Sequence, residues 1–245
     1  VKLKVASYNI HKGVGLDRVC DPDRILTVLR EIDADVIALQ EADRRYGLRE
    51  AVIPRASIDG HSPWRVVEPG HYDRARTAAS MGWHGNALLV RRDIEVIEAC
   101  TVPLPTIEPR GAVCVTLRLG GALVRVLGMH LDLSGLRRRA QVQAVCSHMA
   151  GHADQGHAVM MGDLNEWSPS GGALSAFVAP LRVLTPGRSF PSRRPLAQLD
   201  RIVVSDGLEV EAVGVHHSTL AAVGSDHLPV WANLRLPELG SGRPA

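Results

Sequence analysis

The chain has 245 residues, 45% of them hydrophobic and 22% charged, and a formal net charge of +2. That length and apolar content allow a large core without disulfide staples, and no apolar run approaches the roughly 18 residues a membrane-crossing helix needs. The small charge does not by itself announce a nucleic-acid binder, and aromatic content of 4% argues against a long stacking platform for single strands.

In chain order, Leu3 to Ile10 reads as a first strand that closes with Asn9 and runs into the loop His11-Lys12-Gly13-Val14-Gly15. The strand pattern starts at once, so no signal peptide is expected. Asp21-Pro22 opens a helix, Asp as cap and Pro at the first position, and Ile25, Leu26, Leu29 and Ile32 recur at helical spacing. Asp35 to Gln40 is the next strand and delivers Glu41. Residues 42 to 84 look irregular and carry His71, Arg74, Arg76 and His84; so long a loop-rich stretch is usually functional or mobile.

Gly85 to Val90 resumes a strand. Ile94 to Leu104, Ala112 to Leu119 and Leu123 to Leu131 follow, separated by the turn signals Arg92-Asp93 and Gly120-Gly121, which predicts an antiparallel meander. Leu136 to His152 is a second helix. Its first turn holds Arg137-Arg138-Arg139, where the helix dipole does not welcome positive charge, which favours an external anion partner. Arg44-Arg45 and Arg193-Arg194 are further arginine pairs able to grip phosphates, while lysine occurs only at Lys2, Lys4 and Lys12.

The apolar run Ala158 to Met161 reads as a strand covered on both faces. Gly162 lets the backbone pass close to a neighbour, and Asp163 and Asn165 share one side because strand side chains alternate. A short helix near Ala173 to Phe177, strands over Gln198 to Ser205, Leu208 to His216 and Pro229 to Leu236, and a frayed tail at 240–245 complete the chain. With no repeat and no linker, residues 1–239 are expected to form one domain. Cys20, Cys100, Cys114 and Cys146 are scattered, three of them in apolar stretches where they read as small core residues. A reduced, cytoplasmic monomer is expected.

Strand ends are where the chemistry collects: Asn9, Glu41, His130, Asp163, Asn165, Asp200, Asp226 and His227 each end or follow an apolar run. One such residue is turn chemistry. Eight form a site, because burying so many ionisable groups is unfavourable unless they pair or bind a metal. Glu41 and Asp226, with the carbonyl of Asn9, are donors suited to a hard ion, so Mg²⁺ or Mn²⁺ is favoured over zinc. His227 beside an acid such as Asp200 would be a polarised base or a phosphate ligand.

Tyr8-Asn9-Ile10, Leu39-Gln40-Glu41, Gly162-Asp163-Leu164-Asn165, Leu199-Asp200-Arg201-Ile202 and Ser225-Asp226-His227-Leu228-Pro229-Val230 resemble, in order, the motifs of the endonuclease/exonuclease/phosphatase superfamily. The resemblance implies a four-layer α/β/β/α sandwich of two mixed sheets and metal-dependent hydrolysis of phosphate esters by in-line water attack. Carried over by motif, Glu41 is the main metal ligand, helped by Asn9 and Asp226. Asp163 orients or deprotonates the water, Asn165 holds a phosphate oxygen, and His227 binds the phosphate with Asp200 orienting it. His130, in Met129-His130-Leu131, resembles the histidine of the branch with pancreatic-type deoxyribonucleases, sphingomyelinases and inositol-phosphate phosphatases, and would contact the scissile phosphate.

The chain departs from the abasic-site endonuclease branch, which carries a tyrosine where this sequence has His130 and an acid where it has His11-Lys12; repair of abasic DNA is disfavoured. His11, Lys12, Arg76 and Asn86 are further candidate contacts to substrate phosphate. The leading expectation is a phosphodiesterase or nuclease acting on DNA or RNA. The alternatives are a phosphomonoesterase or phospholipid-headgroup hydrolase, though Val102-Pro103-Leu104-Pro105 is too short for a membrane-docking hairpin, and a catalytically weak member that binds a partner.

Overall fold

Strands such as Val36–Gln40, buried at every residue, have no polar face to give to water, so layers must cover them on both sides. The computed structural model, which describes residues 1–44, 50–70, 79–106, 110–151 and 156–237, does this with four layers. The first sheet contains β1 (Lys2–Asn9), β2 (Val36–Gln40), β3 (Trp64–Val66), β4 (Ala87–Arg91), β11 (Glu209–Val215) and β12 (Val230–Arg235), in the order β11-β12-β1-β2-β4-β3. The second contains β5 (Glu95–Pro103), β6 (Gly111–Leu119), β7 (Ala122–His130), β8 (His157–Asp163), β9 (Leu181–Leu184) and β10 (Asp200–Ser205), in the order β5-β6-β7-β8-β10-β9. This is the expected sandwich of two mixed sheets flanked by helices.

Side-chain alternation builds the layers. On β1, Leu3 and Val5 face the second sheet and meet the core of Val113, Val115, Val126, Val159 and Ile202. Ala6 and Tyr8 face the other way, onto α1 (Pro22–Ile32), which presents Ile25, Leu26, Val28, Leu29 and Ile32. Each of these aliphatic side chains contributes about 1.5–3 kcal/mol by leaving water. Asp21 caps α1 by accepting the Arg24 N–H at 3.0 Å, and Asp33 ends it in the left-handed region at φ 51°. Outside the second sheet, α3 (Gly135–Ala150) packs Val142, Val145 and Met149 against Leu127, Met129 and Met160.

Two central pairs run parallel: β1 with β2 and β7 with β8. A parallel pair needs a long crossover, and α1 and α3 supply them. The consequence for function is register. Asn9 stands beside Gln40, the residue before Glu41, and His130 stands beside Asp163, which in turn faces Asp200 on the antiparallel β10. One end of the sandwich therefore collects the strand-end residues. Gly162 allows the close approach expected of it, since a Cβ there would lie 1.8 Å from the Met129 carbonyl oxygen.

Some expectations are corrected. The stretch read as irregular contains α2 (Arg55–His61) and β3; Trp64 is fully buried and its indole N–H donates to the Ala34 carbonyl at 2.7 Å. Arg92-Asp93 does not close a hairpin in a meander, because β4 pairs with β2 and β3 while β5 pairs with β6. A turn signal fixes a reversal of the chain but not the strand's partner. β9 and the one-turn α4 (Ala221–Gly224) are too short for their periodicity to stand out. Among the described residues no helix is long and apolar enough to cross a membrane. Arg45, His71, Arg74, Arg76 and the tail 240–245 lie outside the described residues.

Candidate active site

Asp163 is the hub. Fully buried at the end of β8, its Oδ2 accepts from the Asn9 side-chain N–H₂ at 3.0 Å. The same oxygen lies 3.4 Å from His130 Nε2 and 3.6 Å from His227 Nε2. Its other oxygen accepts the Asn165 backbone N–H at 2.9 Å. Burial alone would raise the carboxyl pKa, but the positive charge of His227, the contact with His130 and the Asn165 N–H hold it far below the ordinary carboxylate range. Asp163 is thus a permanent anion and a weak base.

His227 is gripped from the opposite side. Its Nδ1 lies 2.8 Å from Asp200 Oδ2, and that oxygen also accepts from Ser189 Oγ at 2.5 Å. Burial works against a charged imidazole, yet Asp200 and then Asp163 push its pKa up to about 10, so the ring is a cation at neutral pH. The Phe190 ring lies against it, centroids 4.8 Å apart, and Trp167 meets Phe190 edge-on at 6.1 Å. Asp163, Asp200 and His227 are close enough to surround an ion, but both nitrogens of the ring already face carboxylates. That cluster is better described as an ion-paired triad.

The acids left open to solvent are the other two. The Glu41 and Asp226 side chains are 24% and 33% exposed, whereas those of Asp163 and Asp200 are 2% and 0%. Glu41 holds a left-handed backbone at φ 54°, a strained conformation of the kind found at functional sites. Its carboxylate pairs with the Lys12 ammonium. Burial raises its pKa, but His130, Lys12 and His11 outweigh burial and keep it ionised. Asp226 lies 4.0 Å from His11 Nδ1, and the His11 N–H donates to Asn9 Oδ1 at 3.1 Å. Two carboxylates and an amide carbonyl, beside a lysine ammonium, are a donor set that fits a hard divalent ion.

Other expected residues have different surroundings. Asn165, at φ 50°, donates its side-chain amide to the Leu131 carbonyl at 2.9 Å, which ties the loop after β8 to the loop after β7. Asn86 is buried, and its amide donates to the Gly111 carbonyl at 2.9 Å and the Trp83 carbonyl at 3.4 Å. Both donor hydrogens of Asn86 are committed to main chain, so it offers none to a phosphate. Arg138 is not an anion grip either. It is buried against Glu166 at 3.3 Å, and Arg137 reaches Asp132 at 3.6 Å. Glu166 also accepts the Ala173 and Ser168 N–H groups, at 2.9 and 3.0 Å, so this pair pins the loop that follows Asn165.

Sequence reasoning missed Ser189, Phe190 and the Arg138–Glu166 pair. The first two sit in a loop without periodicity. Ser225 belongs to the Ser-Asp-His motif, and its hydroxyl donates to the Asn9 backbone carbonyl at 2.7 Å, which joins the loop before β12 to the end of β1.

Comparison with known proteins agrees with this fold. The sequence profile of the Endonuclease/Exonuclease/phosphatase family matches residues 6–227. The uncharacterized protein YbhP of Escherichia coli K12 is 27% identical over 244 residues, 95% of this chain and 96% of that one. Among solved structures, the endonuclease/exonuclease/phosphatase from Bacteroides vulgatus superposes with a TM-score of 0.75 at 16% identity, over 97% of this chain and 100% of that one. D. rerio TDP2 complexed with single strand DNA product gives 0.72 at 14% identity, over 96% and 99%.

Proposed function

The chain belongs to the endonuclease/exonuclease/phosphatase family, and from that premise we propose that it is a divalent-metal-dependent phosphodiesterase acting on DNA, RNA or a nucleotide. The observation that carries the reading is the convergence of Asn9, His130 and His227 on one oxygen of Asp163, next to the solvent-open carboxylates of Glu41 and Asp226. Glu41, Asp226 and Asn9 would hold Mg²⁺ or Mn²⁺, which when bound supplies charge stabilisation at a phosphoryl oxygen.

The remaining roles follow from the side chains themselves. Asp163 is too weak a base to remove a proton efficiently at neutral pH, so its task is to orient the attacking water. His227, kept cationic by Asp200, offers a charge-assisted N–H to a phosphate oxygen, an interaction that strengthens as charge develops. His130 shares the Asp163 carboxylate and is within reach of the same phosphate, where it serves the leaving oxygen.

For the substrate, the exposed Trp167 ring and the Phe190 ring beside His227 form a short stacking surface next to the phosphate-binding imidazole, which favours an attached base over a bare monoester. The D. rerio TDP2 structure holds a single-strand DNA product, which makes single strands the first polymer to try. A phospholipid headgroup is the second reading. It is favoured by Leu133 and Leu196, on loops, and Leu136, in the first turn of α3, exposed at 72%, 61% and 87%.

Purified protein incubated with Mg²⁺, Mn²⁺ or EDTA and given bis-p-nitrophenyl phosphate, single-stranded DNA, RNA, p-nitrophenyl phosphate and phospholipid vesicles separates these. Diester or polymer cleavage that EDTA abolishes supports the proposal. Activity confined to the monoester or the vesicles transfers it to the alternatives, and silence on all five leaves partner binding as the better account.

A further inference from the structure

On the outer face of the second sheet lies a second cluster that the hydrolytic site does not use. Cys100 on β5 and Cys114 on β6 stand directly opposite each other in antiparallel register, with Glu98 facing Thr116 in the next row and Thr116 facing Arg125 on β7. Because the rows are two residues apart, all five side chains share one face. His148 of α3 descends onto that face and brings its Nε2 to 3.8 Å from Cys100 Sγ. The three donor atoms of Cys100, Cys114 and His148 lie within 4.8 Å of one another. Together with Glu98, Thr116 and Arg125 they line a cavity of about 10 Å³, close to the space one water or one ion occupies.

Cys114 is buried as expected, at 1% exposed. Cys100 is only half-buried and faces an imidazole across a void, which apolar packing does not require. We propose that Cys100, Cys114 and His148 form a binding site for a borderline-soft divalent metal ion, with Zn²⁺ the chemical type, and with Glu98 or a water in the fourth position.

Ligand chemistry and spacing both favour this. Thiolate and imidazole together select zinc over the hard ions that suit Glu41 and Asp226. A tetrahedral ion with sulfur about 2.3 Å and nitrogen about 2.0–2.1 Å away sets those two ligands roughly 3.5 Å apart, close to the 3.8 Å between Cys100 Sγ and His148 Nε2. Charge also balances. Each thiol gives its proton to solvent on ligation, two thiolates neutralise the ion, and the carboxylate of Glu98 offsets the guanidinium of Arg125. The ion would clamp β5 and β6 to α3. Arg125 lies five residues before His130 on β7, so the clamp is roughly 16 Å along the strand from the hydrolytic site and would act on stability without entering the chemistry.

Cobalt(II) loading of the reduced full-length protein tests this, because thiolate ligation gives a sulfur-to-cobalt charge-transfer band that oxygen ligands do not. One equivalent of Co²⁺ should produce that band, and Zn²⁺ should bleach it. Cys100→Ser and His148→Gln should each weaken this binding at least tenfold, while Cys20→Ser and Glu41→Ala should leave the band unchanged. Far-UV circular dichroism checks that each variant folds, and His148→Gln, on the outer helix, serves if Cys100→Ser does not fold. Absence of the band, its survival in both Cys100→Ser and His148→Gln, or its loss in Cys20→Ser would overturn the site. A Cys100–Cys114 disulfide forming under mild oxidation in protein that never takes up cobalt would overturn it too, and make the pair a redox couple.

Discussion

Asp200 Oδ2 lies 2.8 Å from His227 Nδ1, and both groups are largely shielded from bulk water, their side chains being 0% and 6% exposed. The contact fixes the ring's orientation and its charge at once. Asp200→Asn keeps the shape and removes the charge, so hydrolysis should fall by about 10²–10⁴-fold, in the range seen when a positioned proton-handling group is lost. His227→Ala should fall at least as far. Steady-state rates on bis-p-nitrophenyl phosphate check both, and Asp200→Asn with the activity of the unaltered protein would remove the pair from the mechanism.

The same contact predicts a pH dependence of stability. The folded-state pKa of His227 is raised, to about 10, above the value of about 6.5 expected in the unfolded chain. Its stabilising contribution is therefore complete below that lower value and is lost as pH rises through about 10. Thermal melts in EDTA from pH 6 to 10 should show a steeper alkaline loss in the unaltered protein than in His227→Gln. Parallel curves would mean that the ring is neutral in the fold.

Gly162 and Gly60 make a paired test of the backbone. A Cβ at Gly162 would lie 1.8 Å from the Met129 carbonyl oxygen, whereas one at Gly60 meets nothing within 4 Å. Gly162→Ala should destabilise by about 1–3 kcal/mol or more, as overpacking does. Gly60→Ala, inside α2, should stabilise by up to about 1 kcal/mol. Urea unfolding distinguishes the two signs.

The buried pair of Arg138 and Glu166, with side chains 10% and 6% exposed, pins the loop between Asn165 and the 3₁₀ turn at Gly172–Ala176. Glu166→Gln leaves a buried guanidinium without its counter-charge, and removing one partner of such a pair destabilises by about 3–5 kcal/mol. Replacing both, as in Arg138→Met with Glu166→Gln, should recover part of that loss. A double variant no more stable than Glu166→Gln alone would show that the charges are not coupled.

Much of this arrangement was legible in the sequence, for a physical reason. A buried strand that ends in a carboxylate, a carboxamide or a histidine advertises its site in one dimension, as Asn9, His130 and Asp163 do. The parallel pairing of β7 with β8 then converts two separate strand ends into the neighbours His130 and Asp163. What was not legible depends on side chains finding partners across the fold. Arg138 reads as a cation for an external anion because its own helix gives no hint of Glu166, twenty-eight residues on. Asn86, a candidate phosphate contact at the start of the strand read over Gly85 to Val90, has its amide bound to the main chain at the start of β6. Cys100 and His148 lie forty-eight residues apart and follow no metal-ligand spacing; only the β5–β6 register and the fall of α3 across it bring them together.

In the proposed function, Glu41 and Asp226 hold a hard ion beside the Asp163–His227–Asp200 triad, and phosphodiester hydrolysis occurs there. The most direct measurement is the initial rate on bis-p-nitrophenyl phosphate with Mg²⁺ or Mn²⁺, with EDTA, and for Glu41→Ala and His227→Ala. Turnover should need the ion, vanish in EDTA, require more metal in Glu41→Ala and be lost in His227→Ala while the fold is kept. Turnover that persists in EDTA, or that His227→Ala leaves intact, would contradict it.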